Sequence, residues 1–152
     1  SEFNETINDL NRIRTVPEKH DDILKKLKFR NCFNHMTVMF KKHDIEEAGG
    51  YLDCPGFEDY YLWCRMANNG CKMYNIQDIL VYARVGNNMI SRRGGLSYYK
   101  QCKNFYKKLR KLNFISSLNY FCSLLIRFTI AIIPTFLRNT FYRLFLRKKY
   151  EK

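Results

Sequence analysis

A chain of 152 residues has room for one domain or less, and its 11 Tyr and 12 Phe supply material for a packed core. The formal charge of +13 is uneven: residues 1–97 carry 14 Lys/Arg against 13 Asp/Glu, whereas residues 98–152 carry 13 against Glu151 alone, so a near-neutral body precedes a basic tail. Six cysteines without a C-x-x-C pair, with only His20, His35 and His43 to help, argue against a paired-ligand zinc site and read as reduced structural thiols of a cytoplasmic protein.

In chain order, residues 1–13 are polar and read as a linker or as the end of an element outside the chain. Val16-Pro17 breaks the chain. Residues 18–29 alternate charge with Ile23, Leu24 and Leu27, which predicts a short amphipathic helix with Lys25, Lys26 and Lys28 on its solvated face. The apolar run 36–40 favours β structure and predicts a buried strand. Asp44 is a candidate N-cap for a helical turn that Gly49-Gly50 ends. A helix over 57–67 follows and stops at Asn68-Asn69-Gly70. Glu58 and Asp59 occupy its first turn, where the helix dipole favours negative charge. That local pattern is common and by itself implies no chemistry. Residues 71–84 hold two short β-like pieces around Gln77-Asp78, the second an edge strand. A polar, glycine-bearing loop over 86–95 contains Arg92 and Arg93, and from Leu96 the pattern is helical to the end, interrupted near Asn113 and at Pro134. The order of elements is that of a mixed α/β protein without a complete nucleotide-binding βαβ series.

Four linked blocks change the weight of the Glu-Asp pair. They are Arg30-Asn31-Cys32-Phe33-Asn34-His35-Met36-Thr37-Val38-Met39-Phe40-Lys41-Lys42, then Ala48-Gly49-Gly50-Tyr51, then Phe57-Glu58-Asp59-Tyr60-Tyr61-Leu62-Trp63, then Leu80-Val81-Tyr82-Ala83-Arg84-Val85-Gly86. In this order and spacing the chain resembles the second half of a family 2 glycosyltransferase with the GT-A fold, the kind that builds bacterial capsules and lipopolysaccharide. The resemblance runs from Arg14 to Gly95. It implies a partial GT-A fold: an acceptor-side half over 14–97, followed by a basic helical tail over 98–152. The half with the nucleotide-sugar pocket and the Asp-x-Asp-type metal motif would lie outside the chain, and this fragment alone would be inactive.

Sugar transfer needs a group to take the acceptor hydroxyl's proton and a means of neutralising the departing diphosphate. The resemblance assigns the first task to Asp59, as base in an inverting displacement, and gives Glu58 the orientation of base or acceptor. Arg92 and Arg93 match a loop that closes over the donor diphosphate, which guanidinium groups can grip in a two-pronged way; otherwise they are two solvated arginines. A divalent cation, manganese or magnesium, is expected with the nucleotide-sugar donor, its ligands mostly outside the chain. Many relatives place a histidine after the Tyr-x-Arg strand as a late metal ligand. This chain reads Arg84-Val85-Gly86-Asn87-Asn88 there, so no metal ligand is assigned within it. His35 is a candidate sugar contact, since a neutral imidazole bonds a hydroxyl either way, and a packing residue otherwise. Trp63, one turn after Asp59, is a candidate wall for a sugar ring or else a core residue. Arg65 returns to that face and reads as a structural ion pair.

In the tail, Ser116, Asn119/Tyr120, Ser123 and Arg127 recur at helical spacing opposite Leu118, Phe121, Leu125 and Phe128. Asn119, Arg127 and Pro134 interrupt any window of about 20 apolar residues, the length a span needs. Residues 114–149 therefore read as amphipathic helix lying on an anionic membrane surface, or as a face packed on the catalytic body. The expected location is the inner face of a bacterial plasma membrane. The expected partners are a nucleotide-sugar and a glycan or lipid-linked acceptor, with self-association through an exposed half-core. The competing class is a non-catalytic membrane- or nucleic-acid-binding basic module. Against nucleic acid, the tail's apolar positions are too many and too bulky for a solvated binding helix, and no nucleic-acid signature is present.

Overall fold

The structure, a computed structural model, describes residues 14–84 and 94–134 together with three short backbone pairings nearer the ends. Four two-residue strands, β1 (Glu2–Phe3), β2 (Arg12–Ile13), β3 (Ala83–Arg84) and β4 (Lys148–Lys149), form a sheet in the order β3-β1-β2-β4. β1 runs antiparallel to β2 and parallel to β3, and β2 runs antiparallel to β4. The rest is helical or irregular: α1 (His20–Leu27), α2 (Lys42–Glu47), α3 (Glu58–Asn68), α4 (Gly95–Lys111) and α5 (Ser117–Ile132).

Helix α3 is the centre. Its residues Tyr60, Tyr61, Leu62, Trp63, Cys64, Arg65 and Met66 are buried in succession, as in a helix enclosed on every side rather than on one stripe. α1 contributes Ile23 and Leu27, one turn apart, and carries Asp21 and Asp22 in its first turn and Lys25 and Lys26 in its last, in accord with its dipole. On the other side α4 supplies Cys102, Phe105, Tyr106 and Leu109. Phe105 stacks on Phe57 at 4.8 Å and lies 4.5 Å from the Tyr60 ring. Two phenol hydroxyls that come inside find carbonyls: Tyr60 donates to Leu27 O at 2.7 Å and Tyr106 to Phe29 O at 3.0 Å.

The strand expected over 36–40 does not form. His35–Thr37 is a single 3-10 turn, closed by the Thr37 amide and hydroxyl onto Asn34 O. Met39 is 99 % exposed. A strand needs a neighbour for its amides and carbonyls, and among the described residues none pairs with this run. Residues 71–76 do alternate in burial as extended chain does, pinned at Asn75 by bonds to Glu18 O and Pro17 O, yet only Ala83–Arg84 joins a ladder. The described residues are thus mainly helical, less β-rich than the α/β reading implied. Two helix boundaries also move: α2 begins at Lys42, placing Asp44 inside its first turn instead of at the cap, and β4 interrupts the tail that read as helical to the end. The turns come out as the sequence implies. Gly49 and Gly50 hold φ of 79° and 63° behind α2, and Asn113, at φ 56°, closes α4.

Candidate active site

The turn Cys54-Pro55-Gly56-Phe57 delivers the chain into α3, with Phe57 buried against Phe105 and Tyr98. Glu58 is exposed and reaches back to accept from the Gly56 amide at 3.0 Å, satisfying a donor that precedes the helix. Asp59 is half-buried. Its Oδ1 accepts from the Tyr60 amide at 2.7 Å and its Oδ2 from Asn31 Nδ2 at 3.2 Å. The Asn31 amide is oriented unambiguously, because its Oδ1 accepts from the Phe33 amide at 3.0 Å. Arg14 fastens the same segment by donating to Asn31 O at 2.6 Å. One carboxylate is therefore held in a fixed pose at a helix N-terminus, while its neighbour stays in water.

Tyr51 and His35 complete this corner. Tyr51 Oη lies 3.3 Å from His35 Nδ1, and the two rings meet edge-on at 5.9 Å. Lost hydration, and then the negative charge of Asp59, push the Tyr51 phenol above its ordinary pKa. Tyr51 is set by the turn before it. The Arg65 guanidinium, buried in α3, donates to the carbonyls of Ala48 and Gly50 and lies 4.8 Å over the Tyr61 ring. Arg65 is thus structural, as its spacing suggested, but its two terminal nitrogens bond carbonyls and its plane meets an aromatic face, in place of the carboxylate an ion pair would need. Burial depresses its pKa.

Trp63 is 3 % exposed and packs 6.0 Å from both Phe33 and Phe40. It lines a cleft of about 390 Å³ with Met39, Phe40, Met73 and Tyr74, and its buried Nε1 has no partner among the described residues. Glu58, Asp59 and His35 are not among the residues of that cleft. The structure brings Asp59, Asn31, Tyr51 and His35 together and puts Trp63 in an adjoining aromatic hollow. Arg92 and Arg93, and the loop after Arg84, lie outside the described residues.

Among the described residues the one convergent group of three metal-ligating side chains is His43, Asp44 and Glu47 on α2, which does not include Glu58 or Asp59, and Asp59 accepts from two N–H donors. The six cysteines are free, and burial raises the thiol pKa of Cys32 to about 11. Asn31 and Tyr51 were not singled out in the sequence. Both stand in the blocks quoted above, but nothing in their spacing announces that they would flank Asp59.

No family profile matches the chain, and no solved structure matches it. Curated proteins do. The chain is 40 % identical over 148 residues to an uncharacterized glycosyltransferase of Haemophilus influenzae, covering 97 % of this chain and 55 % of that protein. It is 35 % identical over 151 residues to the UDP-Gal:alpha-D-GlcNAc-diphosphoundecaprenol beta-1,3-galactosyltransferase of Escherichia coli, covering 97 % and 53 %. It is 33 % identical over 126 residues to the amylovoran biosynthesis glycosyltransferase AmsE of Erwinia amylovora, covering 81 % and 46 %. The chain is therefore a relative of bacterial glycosyltransferases, among them enzymes of polysaccharide biosynthesis. It spans about half the length of the curated relatives it matches.

Proposed function

We propose that this chain is the acceptor-side, C-terminal part of an inverting glycosyltransferase of the family 2, GT-A type. The enzyme would transfer a sugar from a nucleotide-diphospho-sugar to a glycan or lipid-linked acceptor in cell-surface polysaccharide synthesis. The observation that carries this reading is the Asp59 carboxylate, clamped by Asn31 beside the Tyr51–His35 pair. A carboxylate so fixed retains free lone pairs with which to take a proton from an attacking hydroxyl, and positioning is what a general base needs most. Glu58, exposed next to it, can hold acceptor hydroxyls, and His35 can bond a sugar hydroxyl as donor or acceptor. The named substrates of the Escherichia coli relative, a UDP-sugar and a diphosphoundecaprenol-linked acceptor, favour a lipid-linked acceptor here also.

The donor pocket, the divalent cation and its ligands are assigned to the portion of the enzyme outside this chain, with Arg92 and Arg93 as the chain's own candidates for the diphosphate. Because such acceptors are membrane-embedded, the protein is placed at the inner face of the plasma membrane. Among the described residues no helix is long and apolar enough to cross a bilayer; attachment of residues 114–149 to the membrane surface is the route proposed.

The test is turnover of a panel of UDP-sugars by the full-length protein, with and without manganese, beside Asp59→Asn. The wild type is expected to transfer, with an inverted anomeric linkage in the product. The variant, isosteric and still able to accept from Asn31 or Tyr60, is expected to lose about 10²–10⁴ in kcat while melting near the wild-type temperature. Undiminished turnover would remove Asp59 as base, and a folded wild type silent across a broad panel would overturn the transferase reading.

A further inference from the structure

Helix α5 is mounted with its polar side inward. Ser123 is buried, Tyr120 and Leu124 pack against the core, and the Arg127 guanidinium donates to Phe29 O at 3.0 Å and lies 3.4 Å from the Tyr106 hydroxyl. The opposite side faces outward: Leu118, Phe121, Leu125 and Ile132 are 71, 67, 68 and 61 % exposed. They recur at intervals of three, four and seven residues and so form one stripe along the helix. Isolated apolar side chains on a surface need no explanation, but a continuous stripe of large ones marks a contact.

The neighbouring helix carries a second stripe of opposite chemistry. Lys100, Lys103, Lys107 and Lys111 recur three or four residues apart along α4, with Arg110 beside the last of them, and all five are exposed. Among the described residues none of them is ion-paired with a carboxylate; every ion pair lies between Asp22 and Glu47. The cationic stripe ends at the start of α5, where Arg110 donates to Ser117 Oγ at 3.2 and 3.1 Å, one residue before Leu118. From residue 79 to residue 150 the chain has no Asp or Glu at all.

From this juxtaposition we propose that the α4–α5 pair is the surface by which the protein docks on an anionic lipid leaflet. The α4 cations would meet headgroup phosphates, and Leu118, Phe121, Leu125 and Ile132 would enter the acyl boundary. This rests on the membrane-surface reading above and narrows it: the inserted side is the outer stripe of α5, and the charge comes from α4, which lies upstream of the 114–149 segment. Charge decides the occupant. A second copy seated on this face would bring one acid-free cationic stripe against another. A nucleic acid would leave leucine and isoleucine side chains facing phosphates, with Phe121 the one ring of the stripe on which a base could stack. A lipid leaflet offers anionic headgroups and hydrocarbon side by side, as the two stripes require.

The test is co-sedimentation of the full-length protein with vesicles of phosphatidylcholine containing 30 mol % phosphatidylglycerol, and with pure phosphatidylcholine. Binding is expected to the anionic vesicles and to weaken at least tenfold on the neutral ones. Phe121→Ser with Leu125→Glu should reduce it by more than tenfold, and Lys107→Gln with Lys111→Gln by about fivefold for each cation removed. Melting curves and circular dichroism should match the wild type, because all four positions are exposed. Wild-type binding undiminished by the Phe121/Leu125 variant would overturn this surface while leaving membrane attachment intact. No binding to any vesicle would overturn both. Concentration-dependent dimerisation abolished by the Phe121/Leu125 variant, or salt-sensitive duplex DNA binding in place of lipid binding, would also overturn it. UDP-sugar turnover in detergent reports on the transferase reading independently of all these outcomes.

Discussion

Helices α3 and α5 both carry an arginine toward the interior, and they end in opposite situations. α3 is enclosed by α1, the loop before it and α4, so Tyr60 to Met66 are buried in succession, and Arg65 donates to two carbonyls and lies over an aromatic face. α5 touches the body through one side only. There Arg127 finds the Phe29 carbonyl and the Tyr106 hydroxyl, while Leu118, Phe121, Leu125 and Ile132 stay outside. The lesson is that an amphipathic pattern states that a helix has two sides, not which side the body will take. That choice depends on what the docking surface offers, and α4 with residue 29 offers acceptors.

Truncating one side chain packed on α3 and one on the outer side of α5 separates the two helices most sharply. Phe105→Ala removes a fully buried ring that touches Phe57, Tyr60 and Tyr106, and should cost about 3–5 kcal/mol in urea unfolding. Phe121→Ala on the outer side of α5 should stay within about 0.5 kcal/mol. Equal losses would mean that α5's outer stripe is packed in solution. Arg65→Met keeps the side chain's length but leaves the Ala48 and Gly50 carbonyls without their donor. It should cost about 2–3 kcal/mol and loosen the turn before Tyr51, read as faster amide exchange in residues 48–51.

A smaller effect comes from pH. Burial raises the Cys32 thiol from 9.0 to about 11, and pushes Cys64 in α3 well above its ordinary value. Their neutral forms are therefore favoured by folding: that stability is fully present below pH 9 and declines as the unfolded chain, but not the folded one, releases these protons. The melting temperature should fall between pH 9 and 11, and Cys32→Ser should flatten the fall. Cys122, exposed on α5, should be alkylated in the folded protein while Cys32 and Cys64 are spared.

Residue order alone determined the helices around Ile23 and Leu27 and around Tyr60–Met66, the glycine-pair turn, the break at Asn113 and the separation of a neutral body from a cationic tail. These follow from local periodicity, backbone freedom and charge counting, which need no knowledge of neighbours. The Glu58-Asp59 pair was legible for the same reason, as an acidic first turn within linked blocks. Tertiary structure alone decided that Asn31, 28 residues upstream, clamps Asp59, that Tyr51 leans on His35, and that Trp63 faces a separate hollow. It also decided that residues 36–40 form no strand and that α5 turns its polar side inward. A strand exists only where another chain segment completes its hydrogen bonds, and a helix side is buried only where a surface complements it. Both conditions are set by residues distant in the sequence.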